Sequence, residues 1–255
     1  MNPLKRIPLL FTLLALTVSP VCADELFSLK AGYHQLTPDG EFAVSAGGFS
    51  GTPIDMDEDL NFDDSEDFYA EAALQLGAFR LFAAYLPLEF TGSGTLSEDI
   101  VFNGETFTIG TRVDSAVELD VFEAGLAWYL INIDDLPTRI QLGPELAVKY
   151  VDATLAVDEN LTGRSESESV AVPIPTIGLR VRIALGDYFG LSARAGYLEY
   201  DKNSFLDADL QVEFSPLPLV GVFAGYRYVD IDVDEEDVLI DATLDGPFVG
   251  ALIRF

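Results

Sequence analysis

Apolar and polar residues alternate with period two along much of the chain, the pattern of a strand with one dry and one wet face. Residues 138–150 place Ile140, Leu142, Pro144, Leu146, Val148 and Tyr150 on one face and Gln141, Gly143, Glu145, Ala147 and Lys149 on the other. Residues 176–185 set Ile177, Leu179, Val181, Ile183 and Leu185 against Thr176, Gly178, Arg180, Arg182 and Ala184. Residues 206–214 set Leu206, Ala208, Leu210, Val212 and Phe214 against Asp207, Asp209, Gln211 and Glu213. The stretches beginning at Phe27 and Phe68 repeat the design. These segments exceed the roughly 5–6 residues of a strand in a soluble sheet and approach the roughly 9–11 of one that crosses a bilayer.

Ten such strands are predicted, at 26–35, 67–77, 79–91, 115–130, 138–153, 169–185, 188–201, 206–215, 218–232 and 238–255, with eight or twelve as the neighbouring counts. The pattern implies an all-β fold, an antiparallel up-and-down transmembrane β-barrel. Such barrels have long loops at one end and short turns at the other. The alternate connections 36–66, 92–114 and 154–168 are the longest, whereas Gly77-Ala78, Ile131 to Pro137, Gly186-Asp187 and Ser215-Pro216-Leu217 are short. Trp128, Tyr129, Tyr188, Phe189, Tyr197, Tyr200, Tyr226 and Tyr228 gather near predicted strand ends, where amphipathic rings meet the headgroups. Two places break the rule. In 115–130 the face of Val117, Leu119 and Val121 runs into Glu123, and Asp245-Gly246-Pro247 interrupts the last strand; each calls for a bulge or a strand top beyond the membrane. Asn103-Gly104 marks a hairpin over 98–112, too short to span and expected outside.

The start of the chain reads differently. Lys5-Arg6, an apolar stretch from Ile7 to Val18 and small residues up to Ala23 make residues 1–23 a signal peptide, leaving 24–255 as the barrel domain. Cys22 lacks the leucine three residues before it that a lipobox requires. It is the one cysteine, so the mature chain carries no thiol chemistry. The formal net charge is −29, and the cut removes two basic residues and no acid, which excludes nucleic acid as a partner. With 49% apolar residues the chain is nevertheless too hydrophobic for a solvated acidic tail.

The last residues, Phe248-Val249-Gly250-Ala251-Leu252-Ile253-Arg254-Phe255, resemble the C-terminal signal read by the outer-membrane barrel-assembly machinery. Gly250, Ile253 and Phe255 match it, while Phe248 stands where a polar residue is usual. With Gly225-Tyr226-Arg227-Tyr228 and the 98–112 hairpin, the chain resembles the small outer-membrane barrels of the OmpW-like and OmpA-like kind, although ten strands depart from their eight. The resemblance implies a Gram-negative outer membrane, with lipid and lipopolysaccharide as surroundings and the assembly machinery as partner. It suggests a narrow channel for small solutes, apolar ones included.

The candidate chemistry is sparse. Lys30, Arg80, Lys149, Arg180, Arg182, Arg194 and Arg227 fall on predicted inward faces with Glu71, Glu145, Asp207, Asp209 and Glu213. Such charges in a narrow lumen form a structural network, which argues against a wide pore. Asp55, Asp57, Asp59 and Glu66 have the spacing of a calcium loop, but Leu60 stands where its turn needs glycine. Loose binding of a divalent cation is the expectation there, and no other cofactor is expected. Asp230, Asp232 and Asp234 share one face beside Glu235, Glu236 and Asp237, an acidic rim able to draw cations or bridge lipopolysaccharide through them. His34, the single histidine, has no serine or aspartate at strand spacing, so no catalytic site is expected. Three functions follow in descending order: a narrow channel, a plugged structural or interaction barrel with acidic outer loops, and a lipid-active enzyme. The mature protein is expected to begin at Asp24, which intact-mass spectrometry of the membrane-extracted chain checks; a mass that retains residues 1–23 refutes the cleavage.

Overall fold

The alternation closes on itself. In the computed structural model, which describes residues 26–45, 51–96, 99–102, 105–133, 138–159, 165–186, 188–217, 219–235 and 238–255, ten antiparallel strands form a ring. They are β1 (Phe27–Val44), β2 (Ser65–Leu76), β3 (Phe79–Thr95), β4 (Arg112–Trp128), β5 (Thr138–Glu159), β6 (Ser165–Leu185), β7 (Phe189–Tyr200), β8 (Asn203–Leu217), β9 (Val220–Asp234) and β10 (Val238–Arg254). Each strand pairs with its sequence neighbours, and β1 pairs with β10 over Ser28↔Arg254 to Val44↔Val238, so no open edge is left. Phe27 and Phe255 exchange both backbone hydrogen bonds at 3.1 and 2.8 Å and finish the seam. Two short strands lie off the ring: Ile54–Asp55 pairs with β1, and Ile131–Ile133 with the start of β5. The expected hairpin is present as Ile100–Phe102 against Glu105–Phe107, with its Asn103-Gly104 turn outside the described residues, as is the signal segment.

Several strands are longer than the sequence pattern predicts, and the extra length lies at the end with the long connections, here the upper end. β1 continues to Val44 and β5 to Glu159. The two irregular places contain no bulge. β4 pairs with β3 and β5 in unbroken register from Val113 to Ala127, so its odd inward face simply rises out of the apolar zone. At Pro247, which has no N–H to donate, the β1–β10 ladder skips a step, yet His34↔Phe248 and Thr37↔Asp245 keep the same register. The register shift lies instead at Phe214 to Leu217, where β8 continues through the residues expected to turn. Gly77 and Gly186 make the lower turns with φ of 60° and 64°, a conformation costly for any residue with a Cβ.

On the outside, the apolar band runs from a lower aromatic row, including Phe27, Phe79, Trp128, Phe189 and Phe214, to an upper row with Tyr33, Phe68, Tyr85, Phe122, Tyr150, Tyr197, Tyr226 and Tyr228. Along β1 this is Phe27 to Tyr33, about 20 Å at roughly 3.3 Å per residue. Above it the same outward face turns polar, with Gln35, Thr37, Asp39 and Glu41 in β1. Tyr129 departs from the expected girdle: only 2% exposed, it turns into the floor of the barrel after its N–H bonds the Ala78 carbonyl.

Inside, glycines and aromatic rings pair across strands. Tyr69 stands opposite Gly32, Phe82 opposite Gly125, Phe248 opposite Gly225 and Phe223 opposite Gly250. In each pair the ring lies where a Cβ on the glycine would be. The last two pairs are exchanged between β9 and β10, which explains why Phe248 replaces a polar residue: it covers Gly225 from within. Gly250→Ala is therefore expected to lose about 1–3 kcal/mol from overpacking against Phe223 and the Ala31 carbonyl. The check is the urea midpoint of the heat-modifiable band, and an unchanged midpoint would remove the pairing argument.

Candidate functional site: the charged lumen and its apolar plug

Several strands carry their inward polarity in the reverse order of their outward polarity. Along β1 the inward residues run from Ser28 and Lys30 through Gly32 and His34 to Leu36, Pro38 and Phe42. Along β3 they run from Arg80 and Phe82 to Leu86, Leu88 and Phe90, and along β4 from Glu123 to Val121, Leu119, Val117 and Val113. The lumen is therefore charged where the outer wall is apolar, and apolar where the outer wall is acidic.

The charged part is a network centred on Asp207 and Arg194. Asp207, 2% exposed, accepts from Lys149 Nζ at 2.9 Å, Arg194 Nη2 at 3.1 Å and Arg227 Nε at 3.1 Å. Arg194 also reaches Glu123 at 2.7 Å and is bonded to Asp209, and Lys149 meets Glu123 at 2.6 Å. Lower down, Arg80 pairs with Glu71 at 3.2 Å, and Arg180 pairs with Glu145 while lying 4.6 Å above the Phe82 ring. Glu213 collects Lys30 at 3.0 Å, Arg182 at 3.7 Å and Arg254. Every lumen residue expected from the pattern is here.

Two members were not anticipated. Glu123 and Arg254 could both have been found by carrying the parity of their strands to the end, because Val121 and Leu252 share their faces. Of the assembly motif, Gly250 faces inward under Phe223, while Ile253 and Phe255 face out.

Above the charges, Leu36, Leu86, Leu88, Phe90, Phe205, Val229 and Leu244 pack into one buried cluster, with Val117, Leu119, Val121, Ile174 and Leu198 against it. A second cluster of Phe42, Ile54, Leu60, Leu96, Ile100, Val113 and Val157 ties the 54–62 loop and the hairpin over the top. Leu36 and Leu60 are 0% and 2% exposed, so the upper end is filled like the core of a soluble protein. An open groove of ≈ 660 Å³ lies instead against the apolar wall, with Ala72, Ala83, Ala124, Leu81 and Leu126 among its lining residues.

His34 marks the boundary between charges and plug. It is 2% exposed, its ring lies 6.2 Å from Tyr69, and neither nitrogen has a hydrogen-bond partner among the described residues. Asp67 stands opposite it in register but bonds Ser65 at 3.3 Å. The calcium-loop residues do not assemble. Asp55 accepts from the Asp57 and Glu58 N–H groups, Asp59 accepts from the Asp55 N–H, and Glu66 leaves the loop to accept from Tyr33 at 2.9 Å. Among the described residues no group of three or more His, Asp or Glu could hold a metal ion.

The upper tyrosines share a pattern: Tyr33, Tyr85, Tyr197, Tyr226 and Tyr228 donate to Glu66, Asp120, Glu199, Asp245 and Asp230. Each ring is in the apolar band and each partner belongs to the acidic collar above, where Asp230, Asp232 and Asp234 also point outward.

Across solved structures, the outer membrane protease OmpT of Escherichia coli superposes with a TM-score of 0.59 at 11% identity, covering 90% of this chain and 96% of that one. The fold is that of the small outer-membrane β-barrels. The translocator domain of the autotransporter NalP from Neisseria meningitidis gives 0.49 at 15% identity, covering 91% of this chain and 90% of that one. Ail, the attachment invasion locus protein of Yersinia pestis, gives 0.38 at 13%, covering 90% and 97%. No family model and no curated protein sequence matches the chain.

Loss of the Asp207 charge leaves Lys149, Arg194 and Arg227 short of a counter-charge in a buried site. Asp207→Asn is expected to destabilise by about 3–5 kcal/mol. Lys202→Ala, which breaks an exposed pair with Asp234, should leave the midpoint almost unchanged. Guanidinium midpoints of the refolded variants check the contrast.

Proposed function

We propose that this protein is a closed outer-membrane barrel that works through its upper, acidic surface rather than by passing solute through its lumen. The observation that supports this reading is burial: Asp207, Glu213, Lys149 and Arg180 are each 5% exposed or less, whereas the side chains of a water-filled pore would be wetted. The apolar cluster above them closes the path a second time. On this reading the long loops lie outside the cell, the signal peptide has been removed, and the protein is not an enzyme. The acidic collar then stands at the level of the lipopolysaccharide phosphates, where divalent cations would have to bridge like charges.

Planar-bilayer recording on the refolded barrel tests the proposal. No steady conductance is expected, and no uptake of small apolar solutes into liposomes. A stable ohmic step or solute-dependent uptake would overturn the closed barrel and restore the narrow channel.

A further inference from the structure

The groove on the apolar wall follows the register of the sheet. Ala72, Ala83, Ala124, Val148 and Pro175 are successive partners across β2 to β6 and make one row. Leu74, Leu81, Leu126, Leu146 and Ile177 make the row below it, and Tyr85, Phe122 and Tyr150 stand in the row above. Three neighbouring alanines between rows of large side chains leave a trough. It opens outward: Ala73, Phe82, Ala147 and Thr176, which also border it, are 6% exposed or less, whereas Leu81, Leu146 and Val148 are 45% exposed or more.

The trough is also inclined. Its lower row begins at Phe27, in the lower aromatic row, and continues past Ile177 to Tyr197, in the upper one. From Ala72 to Pro175 it crosses four inter-strand steps, about 19 Å at roughly 4.8 Å each. One leaflet of a roughly 30 Å hydrocarbon core is about 15 Å deep, so a single acyl chain laid obliquely fills that length. Acyl chains surround the whole wall, and the trough gains nothing from hydrophobicity alone. It selects by close fit and by what stands at its end.

Charge defines the occupant. On β5, Tyr150 follows Val148 upward and Asp152 follows Tyr150, directly opposite Asp120 on β4. Two like charges in register repel each other, and among the described residues no Lys or Arg shares the outward faces of β4 to β7 at this level. A headgroup ending in phosphate or glycerol brings these carboxylates no counter-charge, whereas a primary ammonium brings charge and N–H donors together. We propose that the trough docks one phospholipid, its chain along the alanine row and its headgroup ammonium at Asp152 and Asp120.

The test uses the whole refolded barrel in detergent micelles doped equally with phosphatidylethanolamine and phosphatidylglycerol of identical chains, read by native mass spectrometry. One phosphatidylethanolamine should stay bound, about fivefold over phosphatidylglycerol. Equal retention of the two, or retention of neither, overturns the proposal. Asp152→Asn should remove the preference, and Ala83→Phe, which fills the trough from the lipid side, should remove the bound lipid. Lipid retained undiminished by Ala83→Phe lies elsewhere and refutes the site. A dimer that Ala83→Phe disperses would give the face to a second copy of the chain instead. A current through the barrel would overturn the closed lumen and leave the lipid count as it was.

Discussion

Ten closed strands leave an interior wide enough for side chains but not for much water, and the rest of this structure follows from having to fill it. Within the bilayer the outer wall must be apolar, so the alternation of the strand sends polar residues inward. Charges placed there lose their hydration and can persist only if each finds a partner. Asp207 with Lys149, Arg194 and Arg227, and Arg180 with Glu145, are the answer to that demand.

Above the bilayer the same constraint acts with the opposite sign. The outer wall of the projecting strands meets water and carries Asp, Glu and Thr, and the inner wall is free to be a hydrophobic core. Leu36, Phe90 and Val229 occupy it as they would in a soluble barrel. The change of sign happens within one or two residues, at Tyr33 and His34 in β1 and at Phe122 and Val121 in β4. Tyrosines suit that level because the ring can remain in the apolar band while the hydroxyl donates to a carboxylate in the collar. One chain thus makes two barrels end to end, an inverted one in lipid and a conventional one in water.

The proposed functional consequence is closure. Fold likeness to a protease at 11% identity shows the fold alone and says little about use in this chain. The interior argues more directly. Among the described residues the lumen carries paired charges below and a packed apolar cluster above, and this is what supports the proposed closed barrel.

Much of this was legible in the sequence because strand geometry is local. A period of two assigns each residue to a face once one residue is placed, and this located all ten strands and put Lys30, Glu71, Arg80, Glu145, Lys149, Arg180, Arg182, Arg194, Glu213 and Arg227 in the lumen. The acidic collar was legible for the same reason. What the sequence could not express was partnership. Arg194 meets Glu123 across 71 positions and Arg180 meets Glu145 across 35, distances that depend on register around a closed ring and on nothing in the local pattern. Spacing also misled where it suggested a calcium loop, since Asp55 and Asp59 were taken up by their own turn and Glu66 by Tyr33 on the neighbouring strand. The sequence by itself determined which way each side chain faces, because that follows from the backbone alone. Only the closed tertiary structure decided which inward groups meet, because contact across a barrel is set by how the strands are staggered.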